Sequence, residues 1–158
     1  MKRFEGRVAL ITAAAAGLGE AGARRIASEG GRVTIWDRDA QALEAARRKA
    51  ADDGLELETD TIDMLDRDAI EAGVARLIER GGKVDILVNN VGGSLHVPFR
   101  FLEQTDEDWR NVLDINIMPS VWTARAVIPE MRKAGYGRIV NMGSKAGRYG
   151  SLFAGTPY

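Results

Sequence analysis

The chain has 158 residues, with 22 basic and 23 acidic side chains, a net charge of -1, one histidine and no cysteine. That length fits one domain able to bury roughly 70% of its unfolded surface. The balanced charge offers no field for steering nucleic acid or a membrane surface, and the missing thiols exclude disulfide, thiolate-metal and cysteine-nucleophile chemistry.

The elements alternate along the chain. Arg7 to Ile11 reads as a short apolar strand, followed by a small-residue turn and a helix from Gly17 to Ser28 that closes at Gly30 and Gly31. Arg32 to Trp36 is the second strand, Asp39 to Ala51 the next helix, and Leu55 to Thr59 the third strand. After Asp66, Ile70, Val74, Leu77 and Ile78 recur at helical spacing, the stripe of a helix lying on a sheet, and Gly81 and Gly82 end it. Val84 to Val88 is almost wholly apolar, as a central parallel strand covered on both faces requires, with Asn89 and Asn90 at its carboxyl end.

Gly92 to Phe101 reads as a loop. Thr105 then caps a helix containing Trp109 and Leu113, a separate long helix runs from about Ser120 to Lys133 with Pro129 as a kink, and Gly137 to Met142 is the fifth strand. Strands alternating with helices of this length predict a three-layer, doubly wound parallel sheet of the Rossmann type, in the α/β class, as one dinucleotide-binding domain. A cytoplasmic setting fits the absence of cysteine, and no apolar run approaches the roughly 20 residues that span a bilayer. Lys2 and Arg3 before the apolar run Val8 to Ala16 could suggest a signal segment, but its cleavage would delete the first strand.

Between the first strand and helix lies Thr12-Ala13-Ala14-Ala15-Ala16-Gly17-Leu18-Gly19. Glycines opening a helix let its backbone amides approach a diphosphate, although the same small residues would also serve tight packing. Asp37, at the end of the second strand, lies 18 residues after Gly19. A carboxylate at that spacing accepts the hydroxyls of an adenosine ribose and repels a 2'-phosphate, which favours NAD over NADP. Two alternatives stay open: Asp37 as a cap of the next helix, and Arg38 as a phosphate contact.

With these residues in place, the chain resembles the short-chain dehydrogenases/reductases over essentially its whole length. The family's glycine turn matches Thr12 to Gly19, its acid after the second strand Asp37, its adenine-contacting acid Asp63, and its Asn-Asn-Ala-Gly signature Asn89-Asn90-Val91-Gly92. The resemblance implies cofactor contacts from Thr12, Ala13, Ala16, Gly17, Leu18 and Gly19, from Asp37, Asp63 and Met64, and from Asn90, Val91 and Gly92. It also implies a catalytic set of Asn116, Ser144 and Tyr158, acting on a secondary alcohol or ketone of a small organic molecule. Tyr158 would be the base, Ser144 the hydroxyl on the substrate oxygen and Asn116 the holder of a water in the proton path. Ser144 follows a strand's carboxyl end, where such a sheet binds ligands.

Two residues depart from the family pattern. Ala13 stands where the turn has its first glycine, at a cost on the order of 1 kcal/mol if the backbone there has positive φ, and Val91 adds bulk beside the cofactor's expected path. A tyrosine titrates near 10, and working near 7 requires roughly 4 kcal/mol of phenolate stabilisation. The family supplies this with a lysine four residues after the tyrosine, a position beyond Tyr158. The resemblance therefore implies an amino-terminal portion lacking the following helix, two further strands and the substrate lid, with the fifth strand at an exposed edge. A homo-oligomer is expected of the full-length form, and a non-catalytic dinucleotide-binding module is the alternative reading. His96 is expected as a solvated loop residue and Trp109 as core; no metal site is expected.

Overall fold

The computed structural model describes residues 2–148. Strands β1 (Val8–Thr12), β2 (Arg32–Asp37), β3 (Glu58–Thr61), β4 (Ile86–Asn89) and β5 (Arg138–Asn141) alternate with helices α1 (Gly17–Ser28), α2 (Ala40–Asp52), α3 (Arg67–Gly81) and α4 (Asp106–Lys133). All strand pairs are parallel, in the order β3-β2-β1-β4-β5. The predicted Rossmann-like α/β architecture is therefore what these residues form.

Strand β1 is central and buried throughout. Because successive side chains point to opposite faces, Ala9 and Ile11 join one core with Ala23 and Ile26 of α1 and Leu43 and Ala46 of α2. Val8 and Leu10 join the other, with Ile70, Val74 and Leu77 of α3 and Val127 and Met131 of α4. The two helix layers thus hold the sheet rigid from both sides, which fixes the strand ends relative to one another. β5 forms an edge, with Val140 and Met142 close to half exposed.

Three expectations change. β3 begins at Glu58 rather than Leu55. Leu57 is buried as the chain enters the sheet, but the paired residues are polar, satisfied by Arg32 on Glu58 at 3.1 Å, Arg80 on Asp60 at 2.6 Å and the Trp36 indole on Asp60 at 3.2 Å. The two helices expected before β5 are one, α4, which runs through both Pro119 and Pro129. Pro119 is buried, and Thr123 Oγ1 donates to its carbonyl at 2.7 Å. Trp109 is half-buried, not core, and meets Phe101 edge-to-face at 6.0 Å between ring centroids.

Candidate functional site

The carboxyl ends of β1, β2 and β4 are sewn together by the turn that follows β1. Thr12 is fully buried, and its Oγ1 accepts from the amides of Asn90 at 3.1 Å and Val91 at 3.3 Å. Ala14 N donates to the Trp36 carbonyl at 3.0 Å and Ala15 N to Asp37 Oδ2 at 3.2 Å. Ala13 has a φ of 49°, so the methyl does sit in the left-handed region, at a cost of about 1 kcal/mol. At Gly19 a Cβ would meet Asn90 Nδ2 at 2.7 Å, Ala14 Cα at 2.8 Å and the Ala13 carbonyl oxygen at 2.9 Å. Only glycine lets the first turn of α1 lie this close.

The amino end of α1 differs from the others. Ala16 precedes it and gives no side-chain cap, whereas Asp39, Asp66 and Thr105 each accept amide hydrogens at the starts of α2, α3 and α4. Unpaired amides at a helix start attract anions. Since Asp39 caps α2, the capping alternative for Asp37 falls away. The Asp37 carboxylate instead takes the Ala15 amide on one oxygen and the Asp39 amide, at 3.2 Å, on the other.

A cavity of about 850 Å³ opens in front of these strand ends. Six of the predicted residues line it: Ala13, Asp37, Asp63, Met64, Val91 and Gly92. Asp63 Oδ1 accepts from Leu65 N at 2.9 Å, and Met64 is buried in the wall. Thr12, Gly19 and Asn90 lie behind the lining and brace it, while Ala16, Gly17 and Leu18 face outward on the turn, with Leu18 74% exposed. The sequence does not announce the opposite wall, where Asn111, Asp114, Ile115, Met118 and Trp122 line the cavity from α4; Leu95 and Arg38, the latter the candidate phosphate contact, also line it. The α4 residues recur at helical spacing on one face, a periodicity that reading α4 as two helices obscured.

Asn116 lies beside this cavity at the β4 end. Its Oδ1 accepts from Gly93 N at 3.0 Å, and its Nδ2 donates to the Gly93 and Val112 carbonyls at 2.8 and 2.7 Å. A Cβ on Gly92 would come within 2.5 Å of that Oδ1, so the glycine permits the clamp. Ser144 follows β5, next to β4 in the sheet, and its Oγ accepts from Ala146 N at 3.1 Å, a bond that uses an oxygen lone pair and not the hydroxyl proton. Tyr158 lies outside the described residues. His96 is exposed, as expected of a loop histidine.

The sequence model of the short chain dehydrogenases matches residues 7–158. The chain belongs to the short-chain dehydrogenase/reductase family. It is 38% identical over 154 residues to a sorbitol dehydrogenase of Cereibacter sphaeroides, covering 97% of this chain and 58% of that one. Among solved structures, NAD+-bound xylitol dehydrogenase superposes with a TM-score of 0.89 at 32% identity, covering 96% of this chain and 58% of that one. An actinorhodin polyketide ketoreductase variant with NADPH gives 0.87 at 35%, covering 98% and 58%. This chain therefore spans somewhat over half the length of these family members.

The site's parts divide by chemistry. The uncapped α1 start and the turn offer amide donors to an anion, Asp37 and Asp63 offer acceptors to hydroxyl or amino groups, and Met64, Ile115, Met118 and Trp122 offer apolar lining. Arg38 places a cation in the same cavity as Asp37. Among the described residues no helix is long and apolar enough to cross a membrane.

Proposed function

We propose that the complete protein transfers a hydride between NAD and a secondary alcohol or ketone of a small organic molecule. The observation carrying this reading is the α1 start, uncapped and packed through Gly19 onto the turn, with Asp37 bonded to that turn's Ala15 amide. These residues fit a dinucleotide: the uncapped α1 start at Gly17 to Gly19 would supply amides to its diphosphate, Asp37 would accept its ribose hydroxyls with the lone pairs its two amide bonds leave free, and Asp63 and Met64 would border its base. When bound, its nicotinamide accepts or returns the hydride.

The chain's own residues move the proton and orient the substrate. Ser144 donates a hydrogen bond from its hydroxyl to the substrate oxygen and keeps its proton, while Tyr158 removes the proton from that oxygen on oxidation or returns it on reduction. Asn116 keeps the Gly93 backbone beside the cavity by two hydrogen bonds, while a third, to the Val112 carbonyl, holds its side chain on α4. Support for NAD over NADP is the Asp37 carboxylate, which repels a 2'-phosphate. We also propose that the complete protein self-associates through α4, where Leu113, Ile117 and Val121 recur at exposed positions one turn apart. Light scattering should report a dimer or larger; a monomer at high concentration would remove that part.

The test is to express the complete reading frame and measure NAD binding and alcohol-dependent NADH formation. A folded protein showing neither would remove the reading, and binding without turnover on any alcohol would favour a non-catalytic dinucleotide module. Asp37→Ala should shift the NAD-to-NADP preference about tenfold toward NADP, the equivalent of ~1.4 kcal/mol of like-charge repulsion. An unchanged ratio would reject the role given to Asp37.

A further inference from the structure

The peptide unit joining Ala13 to Ala14 is pinned at both of its polar atoms. Its carbonyl oxygen accepts from Asn90 Nδ2 at 2.8 Å, and its amide donates to the Trp36 carbonyl at 3.0 Å. The first bond comes from the end of β4 and the second from the end of β2, the two strands flanking β1. Orienting that peptide fixes the ψ of Ala13, whose φ of 49° an alanine disfavours. A strained residue persists only where its surroundings over-determine it. Of the two bonds, only Asn90's comes from a side chain, and that amide also lies where a Gly19 Cβ would fall.

We propose that Asn90 is a positioning residue for the dinucleotide site: its side-chain amide holds Ala13 in the left-handed conformation and so keeps the turn shaped for the diphosphate before ligand arrives. Asn90 acts through the Ala13 carbonyl and not by touching the cofactor. The inference rests on the dinucleotide reading above for its effect on affinity, but the pinning itself is a property of the folded chain. Its signature is coupling between two positions, because glycine at 13 carries no strain for Asn90 to hold.

The experiment is a double-mutant cycle on the complete polypeptide, combining Asn90→Ala with Ala13→Gly, read by NAD titration and by the thermal unfolding midpoint. With Ala13 present, Asn90→Ala should raise the Kd for NAD about fivefold, the size of one lost hydrogen bond; in the Ala13→Gly background the same change should cost less than about twofold. The unfolding midpoint should show the same non-additivity. Equal losses in both backgrounds would overturn the proposal. If the parent protein binds neither NAD nor NADP while the midpoints still couple, the pinning stands and the dinucleotide reading falls; uncoupled midpoints without binding overturn both. Should Asn90→Ala fail to fold, the near-isosteric and uncharged Asn90→Leu, which lacks the donor, takes its place with the same expected coupling.

Discussion

The two ends of the sheet use the same strands for opposite purposes. At the amino end, Asp85 is buried and fully engaged: Oδ2 accepts from Val8 N at 2.9 Å and meets Lys83 Nζ at 2.9 Å, while Oδ1 meets Arg7 Nη1 at 3.0 Å. The Arg7 and Arg138 guanidiniums lie 3.7 and 4.7 Å from the Tyr136 ring centroid, and Arg138 N donates to the Asp85 carbonyl at 2.9 Å. Polar groups there close on one another and lock β1, β4 and β5. At the carboxyl end, among the described residues, α1 has no side-chain cap, Ala13 is left-handed, buried Asn89 Oδ1 has no hydrogen-bond partner, and a cavity stands open. The contrast teaches where to look for function, because a fold that satisfies its groups at one end and leaves donors waiting at the other is shaped for a ligand at the second.

Removing Asp85 should sharpen the contrast most. Asp85→Ala strands the Val8 amide and two cations, and should lower unfolding stability by about 3 kcal/mol while leaving the Kd for NAD unchanged below the melting range. Denaturant titration and calorimetry check the two halves, and a large loss of NAD affinity in the folded variant would break the separation of roles. Gly19→Ala is the mirror experiment. The new methyl would overlap three atoms of the turn and strand end, so NAD affinity should fall roughly thirtyfold, about 2 kcal/mol, as the turn is forced open. Undiminished affinity would mean that the turn does not contact the cofactor.

Acid should loosen the amino end. Hydrogen bonds from Arg3, opposed by burial and joined by Arg25, lower the Glu29 carboxyl from 4.5 to about 2. Burial tends to raise Asp85, but Lys83, the Val8 amide and Arg7 prevail and hold it below its ordinary 3.8. Because both folded-state values are depressed, their stabilisation is complete above about pH 4.5 and is lost as pH falls toward 2. Unfolding midpoints should therefore drop across that window, and Glu29→Gln should flatten the drop. A Glu29→Gln protein with an unaltered acid profile would contradict this account. This is the smallest of the expected effects, since the arginines that hold Glu29 are themselves largely exposed to solvent, which screens the pairing.

Much of this was legible in the residues. α1 matches the bounds expected from the Gly17 to Ser28 pattern, and β1, β2 and α2 fall within a residue, because small-residue turns, an aspartate cap and continuous apolar runs are local signals. Local spacing singles out the turn and Asp37, whereas Asp63, Val91 and Gly92 come from the family resemblance; the structure brings Ala13, Asp37, Asp63, Val91 and Gly92 to one cavity. β3 was misplaced because its pairing residues are polar and held by arginines distant in sequence. α4 was divided because proline signals a break locally, whereas packing against α3 and β4 carries the helix through. The cavity's α4 wall depended on that continuity, and the pinning of Ala13 by Asn90 joins residues 77 positions apart, which no local pattern records.

The central claim is that a pyridine dinucleotide lies over the carboxyl ends of these strands. Isothermal titration of the complete, folded protein with NAD and with NADP tests it most directly. Saturable binding of one molecule per chain, tighter for NAD and weakened by Gly19→Ala, is the predicted result; no heat with either dinucleotide would contradict it.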